Sequence, residues 1–322
     1  MMRAIVISAT GGPEVLDYTD HPDPAPAPGE LLVQVAACGV NFIDTYHRRG
    51  RYPLSLPTVL GREGAGIVLA AGEDVAEFAP GDRVAWTGVP GSYAELVALP
   101  ATRALPVPDG MALDLAAAIP LQGMTAHYLT HSVHKVKPGD DVLVHAAAGG
   151  MGLLLVQMAK LRGARVIGTV STDEKARLAR EAGADTVLRY EGFADAVRDL
   201  TGSGVHVVYD GVGAATFDGS LACLRPRGMM ALYGAASGAV PPVDPMRLYH
   251  GGSLFLTRPL LEHYIATREE LLWRAGDVFG WVASGDLRID VSRRYPLGEA
   301  RQAHEALEAR RTTGKLLLIP GL

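Results

Sequence analysis

Residues 145–152 read His-Ala-Ala-Ala-Gly-Gly-Met-Gly, directly after the apolar run Val142-Leu143-Val144 and ahead of an amphipathic stretch over 153–162. No other segment restricts the fold so strongly. A strand that turns into a helix through residues without bulk builds a cradle for a pyrophosphate. Backbone N–H groups and the helix N-terminus can then approach the phosphate oxygens. Ala146, Gly149 and Gly152 supply the small positions, with Gly150 and Met151 between them. The spacing A-x-x-G-x-x-G departs from the usual G-x-G-x-x-G, so the segment taken alone also fits a glycine-rich turn in another α/β protein. The surrounding chain narrows that choice.

From about residue 140, strand-like runs at 142–144, 166–170, 186–188, 205–209 and 229–233 alternate with helical patterns, notably 174–182 and 194–200. This alternation predicts a doubly wound parallel sheet with its ligand beyond the carboxyl ends of the strands. Residues 254–257 offer a sixth strand. Before residue 120 the pattern is different. Short apolar runs at 31–35, 65–69, 83–86 and 93–97 are punctuated by Gly and Pro and read as the strands of a small β-barrel. Residues 21–29 hold four prolines and must be an extended connector. The tail, with strands expected at 287–291 and 315–319, is expected to return to the first domain. The expected fold class is therefore α/β, with residues 122–257 as the nucleotide-binding domain and residues 1–121 plus 258–322 as the other.

A chain of 322 residues suits two cores better than one. Its net charge of −5 argues against an electrostatic grip on nucleic acid. The two cysteines, Cys38 and Cys223, are too few for a disulfide framework or a four-cysteine zinc lobe. The first seven residues lack the order of a signal peptide, and no apolar run reaches membrane-spanning length. A cytoplasmic protein with neither a nucleic-acid nor a membrane partner is expected.

The choice of nicotinamide cofactor is written after the second strand. An acid about 20 residues beyond the glycines ordinarily binds the ribose 2′-hydroxyl. Here Val170 stands at that place, followed by Ser171 and, four residues on, Lys175. A hydroxyl and an ammonium suit a 2′-phosphate, which a carboxylate would repel. Tyr190, after the third strand, can serve the same side. The competing explanation makes Ser171 an N-cap and Lys175 an exposed helix residue, but it leaves the missing acid unexplained. Asp173 and Glu174 fit the first turn of a helix, where its dipole favours them. NADPH is the expected cofactor.

The chain resembles the medium-chain dehydrogenase/reductase superfamily, and within it the quinone oxidoreductase (zeta-crystallin-like) branch. The likeness runs nearly end to end. Its carriers are Gly11-Gly12-Pro13-Glu14-Val15-Leu16, Gly39-Val40-Asn41-Phe42-Ile43-Asp44-Thr45-Tyr46, Gly61-Arg62-Glu63-Gly64-Ala65-Gly66, the 145–152 segment and Val208-Tyr209-Asp210-Gly211-Val212-Gly213. The resemblance implies a GroES-like β domain, a Rossmann domain and a homodimer. Zinc-using members carry a Cys-Gly-Val-Cys-type segment and a Gly-His-Glu segment; here the second Cys position is Asn41 and the His position is Arg62. An amide is a poor ligand and a guanidinium has no lone pair to give, so no metal site is expected. Without a Lewis acid, alcohol oxidation is disfavoured. Cys38 is expected to be a small buried hydrophobe, and Glu63 is left isolated.

By the same resemblance, Asn41, Tyr46 and Tyr52 line the acceptor site. Thr125, Tyr128, Gly149, Gly150, Met151, Gly152, Ser171, Lys175, Tyr190, Ser237 and Arg310, with Asn41, are the implied cofactor contacts. Lys315 occupies another tail position that in the family reaches toward the cofactor. An amide or phenol can hydrogen-bond a quinone oxygen as charge develops there, although ordinary packing also accounts for the two tyrosines. Arg62 either orients substrate or pairs with Glu63 or Asp44. His127 stands where relatives often carry an aromatic residue. The implied activity is zinc-independent transfer of hydride or electrons from NADPH to a quinone in an interdomain cleft. One alternative is an NADPH-dependent enone or enoyl reductase. Another, of a different class, is a non-catalytic NADPH-binding protein of crystallin-like or RNA-binding type.

Overall fold

Short, largely apolar runs form most strands of this chain. The computed structural model, which describes residues 1–309 and 312–322, sorts them into two compact units. One comprises residues 1–122, 265–285 and 289–322; the other comprises 123–264 and 286–288.

The second unit is built on six parallel strands. Their spatial order is Thr186–Leu188, Arg165–Thr169, Asp141–Val144, Val205–Asp210, Leu224–Leu232, Phe255–Thr257. Numbered along the chain this is 3-2-1-4-5-6, the order of a dinucleotide-binding sheet. The order reverses between Asp141–Val144 and Val205–Asp210, and ligands of such sheets bind beyond that point. Val142, Leu143 and Val144 are buried on both faces, which explains why this strand reads as an unbroken apolar run. Leu143, Ile167, Val208 and Met230 pack with Phe193 and Phe217 into one core.

In the first unit the long strand Glu30–Val40 is the organising element. It pairs antiparallel with Glu63–Ala71, with Leu96–Pro100 and with Lys315–Ile319. The last pairing places Leu316 opposite Val40, Leu317 opposite Gly39 and Leu318 opposite Cys38, so the end of the chain completes the same sheet. Leu31, Val33, Val84, Trp86, Leu99, Leu316 and Leu318 form its core.

Three local expectations need correction. The strand expected at 287–291 begins only at Val291 and runs to Pro296. The helix Arg268–Ser284 ends on Gly285 at φ 82°, and the backbone of Arg288 then bonds the Gln157 carboxamide through both its N–H and its C=O. Those groups are unavailable to a sheet ladder. The strand expected at 93–97 lies at Leu96–Pro100. Tyr93 instead accepts from Ile5 N and donates to Leu60 O, a commitment to two different neighbours. Finally, Phe42–Arg48 is a helix that the β-rich reading missed; Asp44 in its first turn accepts from the N–H of Asn41 at 2.8 Å, which caps it. Among the described residues no helix is long and apolar enough to cross a membrane.

Candidate functional site

The 145–152 segment forms the turn its composition demands. Ala146 adopts φ 51°, its carbonyl accepts from Gly149 N at 2.8 Å, and the helix Gly150–Leu161 starts at Gly149 without a side-chain cap. The N–H groups of Gly150, Met151 and Gly152 lie in that first turn, so none has an acceptor within the helix. This is the arrangement that binds anions. Gly152 is required by space: a Cβ there would collide with Ala146 O and stand 2.7 Å from Ala147 Cα. The residues present therefore fit a dinucleotide diphosphate.

Beneath the turn lies a buried network. His145 Nδ1 is 2.7 Å from Thr169 Oγ1, and its Nε2 is 2.9 Å from Ser220 Oγ. Ser220 and Thr216 both donate to Asp210 Oδ2, at 2.9 and 2.7 Å. Asp210 therefore occupies the hydroxyl hydrogen of Ser220, and His145 Nε2 must donate to that oxygen. Burial lowers the His145 pKa to about 4, so the ring is neutral. Its face packs against Tyr190, whose hydroxyl accepts from Ala146 N at 3.1 Å. Tyr190 thus holds the phosphate turn as well as standing beside it.

At the end of the second strand, Thr172 rather than Ser171 caps the helix Asp173–Glu181; its side chain accepts from Lys175 N. Ser171 is left exposed at the strand end and Lys175 half-buried one turn on. Asp173, the nearest acid, is paired with Arg189. Sequence reading overlooked that pairing, which partly offsets the Asp173 charge a 2′-phosphate would meet. Thr125 and Tyr128 are both buried on the helix Pro120–Tyr128, and Tyr128 stacks on Tyr264 with centroids 4.2 Å apart. His127 is buried and stacks on His131. Ser237 accepts from Ala215 N and donates to Val212 O, anchoring the loop after the fifth strand. Arg310 lies outside the described residues.

The expected acceptor residues belong to the first unit. Asn41 is 3% exposed. Its Nδ2 donates to Glu63 Oε2 at 2.8 Å and, at the long distance of 3.4 Å, to Gly39 O. Its Oδ1 accepts from Lys315 Nζ at 2.7 Å and from Gln122 Nε2 at 3.3 Å. Lys315 Nζ also reaches Glu63 Oε2 at 2.5 Å, and Glu63 Oε1 accepts from Leu121 N at 2.7 Å. Glu63 is thus not isolated, and Lys315, only 2% exposed, is its cation. Arg62 forms neither expected ion pair; it donates to Gly88 O at 2.8 Å. Cys38 is fully buried, its thiol donating to Ser92 O. Burial pushes that thiol's pKa up. Tyr46 and Tyr52 meet edge to face with centroids 6.3 Å apart, Phe42 flanks Tyr46 at 6.3 Å, and Tyr52 remains exposed. Flat apolar walls of this kind suit a planar ligand.

The sequence reading placed Lys315 toward the cofactor; its pairing with Glu63 and Asn41 escaped that reading. The available signal was a glycine inside a strand, Gly39, which marks close approach. A Cβ there would collide with the Glu63 carboxylate and stand 3.0 Å from Lys315 Cε.

Comparisons with known proteins match this geometry. The alcohol dehydrogenase GroES-like domain family matches residues 27–109, and the zinc-binding dehydrogenase family matches residues 150–263. A quinone oxidoreductase of Pseudomonas aeruginosa is 46% identical over 325 residues, covering 99% of this chain and 100% of that protein. A 2-haloacrylate reductase of a Burkholderia species is 44% identical, over 99% of each. Among solved structures, a mycobacterial protein complexed with NADPH is 52% identical, with a TM-score of 0.97 over 99% of this chain and 100% of that one.

Proposed function

The chain belongs to the quinone oxidoreductase branch of the medium-chain dehydrogenase/reductase family, and from that membership we propose that it reduces quinones with NADPH, by zinc-independent transfer of hydride or electrons. The observation that carries the reading is the Lys315–Glu63–Asn41 cluster. Asn41 stands at a position where zinc-using relatives hold a ligand, and here its amide is bonded to a buried Lys315–Glu63 ion pair. Glu63 is already neutralised by Lys315, and Asn41 and Arg62 are poor or impossible zinc ligands. With no Lewis acid to activate an alcohol, the acceptor must already be electrophilic. A quinone is such an acceptor, and the Tyr46–Tyr52 pair supplies walls for a flat ring.

When bound, NADPH supplies the hydride equivalent; the overall conversion consumes one proton and yields NADP⁺ and a quinol. The N–H groups of Gly150, Met151 and Gly152, with Gly149 at the cap, hold its diphosphate, and Ser171, Lys175 and Tyr190 hold its 2′-phosphate. Thr125, Tyr128 and Ser237 complete its contacts. Asn41, Tyr46 and Tyr52 bind the acceptor, with Asn41 also a cofactor contact. Residues 122–257 act as the NADPH-binding domain, and residues 1–121 with 258–322 as the catalytic one. Water supplies the proton.

The protein works in the cytoplasm as a homodimer. Its two cysteines are free and buried, which suits a reducing compartment. The dimer contact is the free edge strand Phe255–Thr257, beside which Phe255, Tyr249 and Met246 are exposed.

The test is loss of the near-ultraviolet absorbance of NADPH or NADH with small quinones and an aliphatic enone in parallel, with and without a chelator. Chelator-insensitive quinone turnover preferring NADPH is expected. Turnover of the enone alone would replace the quinone reading with a conjugated-alkene reductase, and tight NADPH binding without turnover would remove the enzyme reading.

A further inference from the structure

The Asn41 carboxamide is gripped unequally at its two ends. Its oxygen receives an ammonium hydrogen from Lys315 at 2.7 Å and an amide hydrogen from Gln122 at 3.3 Å. One Nδ2 hydrogen is held by the Glu63 carboxylate at 2.8 Å, while the other reaches Gly39 O only at 3.4 Å. Two donors on one end and a carboxylate at the other leave no ambiguity about which atom is nitrogen. The second Nδ2–H is therefore a buried donor whose present bond is at the limit of length.

A cation on the carbonyl oxygen of an amide draws electron density toward that oxygen and makes its N–H a stronger donor, an effect that a low-dielectric surrounding enlarges. Lys315 is 2% exposed and Glu63 0%, so water screens neither charge. Both Glu63 oxygens are engaged, Oε2 by Lys315 and Asn41 and Oε1 by Leu121 N, and the glycine at 39 leaves room for the carboxylate against the strand. A buried pair satisfied in this way is tolerated, and it fixes whatever it touches.

We propose that Lys315 is a positioning residue for reduction: with Glu63 it orients and polarises the Asn41 carboxamide, so that the loosely held Nδ2–H serves as donor to the oxyanion developing on the acceptor. The inference rests on the quinone-reductase reading for its substrate, and on the first unit alone for its geometry. Lys315 acts only through Asn41.

The test compares the parent with Glu63→Gln/Lys315→Met, which removes both charges together and so avoids a lone buried charge, each with and without Asn41→Ala. Circular dichroism melting first reports that the fold survives the double substitution, and the Kd for NADPH, to which Asn41 also contributes, is measured so that kcat is compared at saturating cofactor. With 1,4-benzoquinone as acceptor, kcat is expected to fall about tenfold or more while KM moves less than about threefold, as for loss of an oxyanion donor. Para-nitrophenolate, an oxyanion that cannot be reduced by hydride at its oxygen, supplies a second readout through its visible absorbance. Its Kd should rise about tenfold in Glu63→Gln/Lys315→Met, and Asn41→Ala should add little further in that background. Retention of kcat and phenolate affinity within about twofold overturns the proposal. So does an Asn41→Ala effect of equal size in both backgrounds. If the parent does not reduce quinones, the functional reading falls, and the phenolate arm still decides the role of Lys315.

Discussion

Tyr93 donates its phenolic hydrogen to Asp44 Oδ2 over 2.9 Å, in a place where neither side chain touches water. The bond is one link in an oriented chain. Arg48, which cannot accept, donates to His304 Nδ1 at 2.9 Å, so His304 Nε2 carries the hydrogen and donates it to the Tyr93 oxygen at 3.2 Å. Burial raises the Asp44 pKa to about 7; Asn41 N–H, Tyr93 and Lys315 resist the rise and Glu63 adds to it. Burial, and then the Arg48 charge, lowers the His304 pKa to about 3.

The two shifts oppose each other in their effect on stability. Between about pH 4 and 7 the native state keeps a proton on Asp44 that the unfolded chain releases, so stability falls as pH rises through that window. Between about pH 3 and 6.5 the unfolded chain protonates His304 and the native state does not, so stability rises with pH. Each effect is on the order of a few kcal/mol, and over the shared window they largely cancel. Removing either group should expose the other. Asp44→Asn should lose stability more steeply than the parent on acidification from pH 6.5 to 4. His304→Gln should lose it instead as pH climbs from 4 to 7. Urea midpoints across that range decide the matter, and parent-like pH slopes in both variants would contradict the assigned protonation states.

Gly152→Ala tests the phosphate turn. The added methyl must displace Ala146 O or the Ala147 backbone, and overpacking of this kind costs about 1–3 kcal/mol. The displaced turn should bind NADPH at least about tenfold more weakly by fluorescence titration. At Gly149 the same methyl would meet only Ala146 O, at 3.3 Å, so Gly149→Ala should perturb the unliganded fold much less. Unchanged NADPH affinity in Gly152→Ala would mean that the close approach is not what the site requires.

The edge strand Phe255–Thr257 offers a third test. Phe255 is 56% and Tyr249 66% exposed, an unusual outlay of aromatic surface beside unpaired strand hydrogen bonds. Phe255→Glu should convert a dimer into a monomer in light scattering coupled to size exclusion, without altering the melting of the monomeric fold by more than a few degrees. A parent that runs as a monomer at micromolar concentration removes the dimer proposal outright.

What was legible in the sequence was local. The turn at 145–152 and the alternation that follows it depend on neighbours a few residues apart, and the sheet order confirms that rhythm. Lys315 lies 252 residues from Glu63 and 274 from Asn41, and the pairing of both Lys315–Ile319 and Glu63–Ala71 with Glu30–Val40 brings them together. No periodicity encodes such a contact. The helix Phe42–Arg48 was hidden for another reason: its buried face includes Asp44, Thr45 and Arg48, which read as polar surface until their partners Tyr93, Phe42 O and Glu308 are known. Buried polar groups defeat hydrophobic patterning because their burial depends on distant partners.

Selectivity for the 2′-phosphate is the sharpest remaining test of the nucleotide-binding unit. Val170 ends the second strand where an acid would hold a ribose diol, and Ser171 follows it exposed. Thr172 performs the capping, which frees the Ser171 hydroxyl from that duty, and Arg189 pairs with the exposed Asp173. A hydrogen bond to a charged group contributes about 1.5–3 kcal/mol. Lys175→Ala should therefore raise the Kd for NADPH roughly tenfold to a hundredfold while leaving that for NADH nearly unchanged. Ser171→Asp should go further, because a carboxylate at the strand end repels the phosphate and can accept from a 2′-hydroxyl, shifting preference toward NADH. Isothermal titration with both cofactors gives the ratio directly. Equal losses for NADPH and NADH in Lys175→Ala would show that the lysine grips the diphosphate or supports the helix instead, and that selectivity arises elsewhere in the unit.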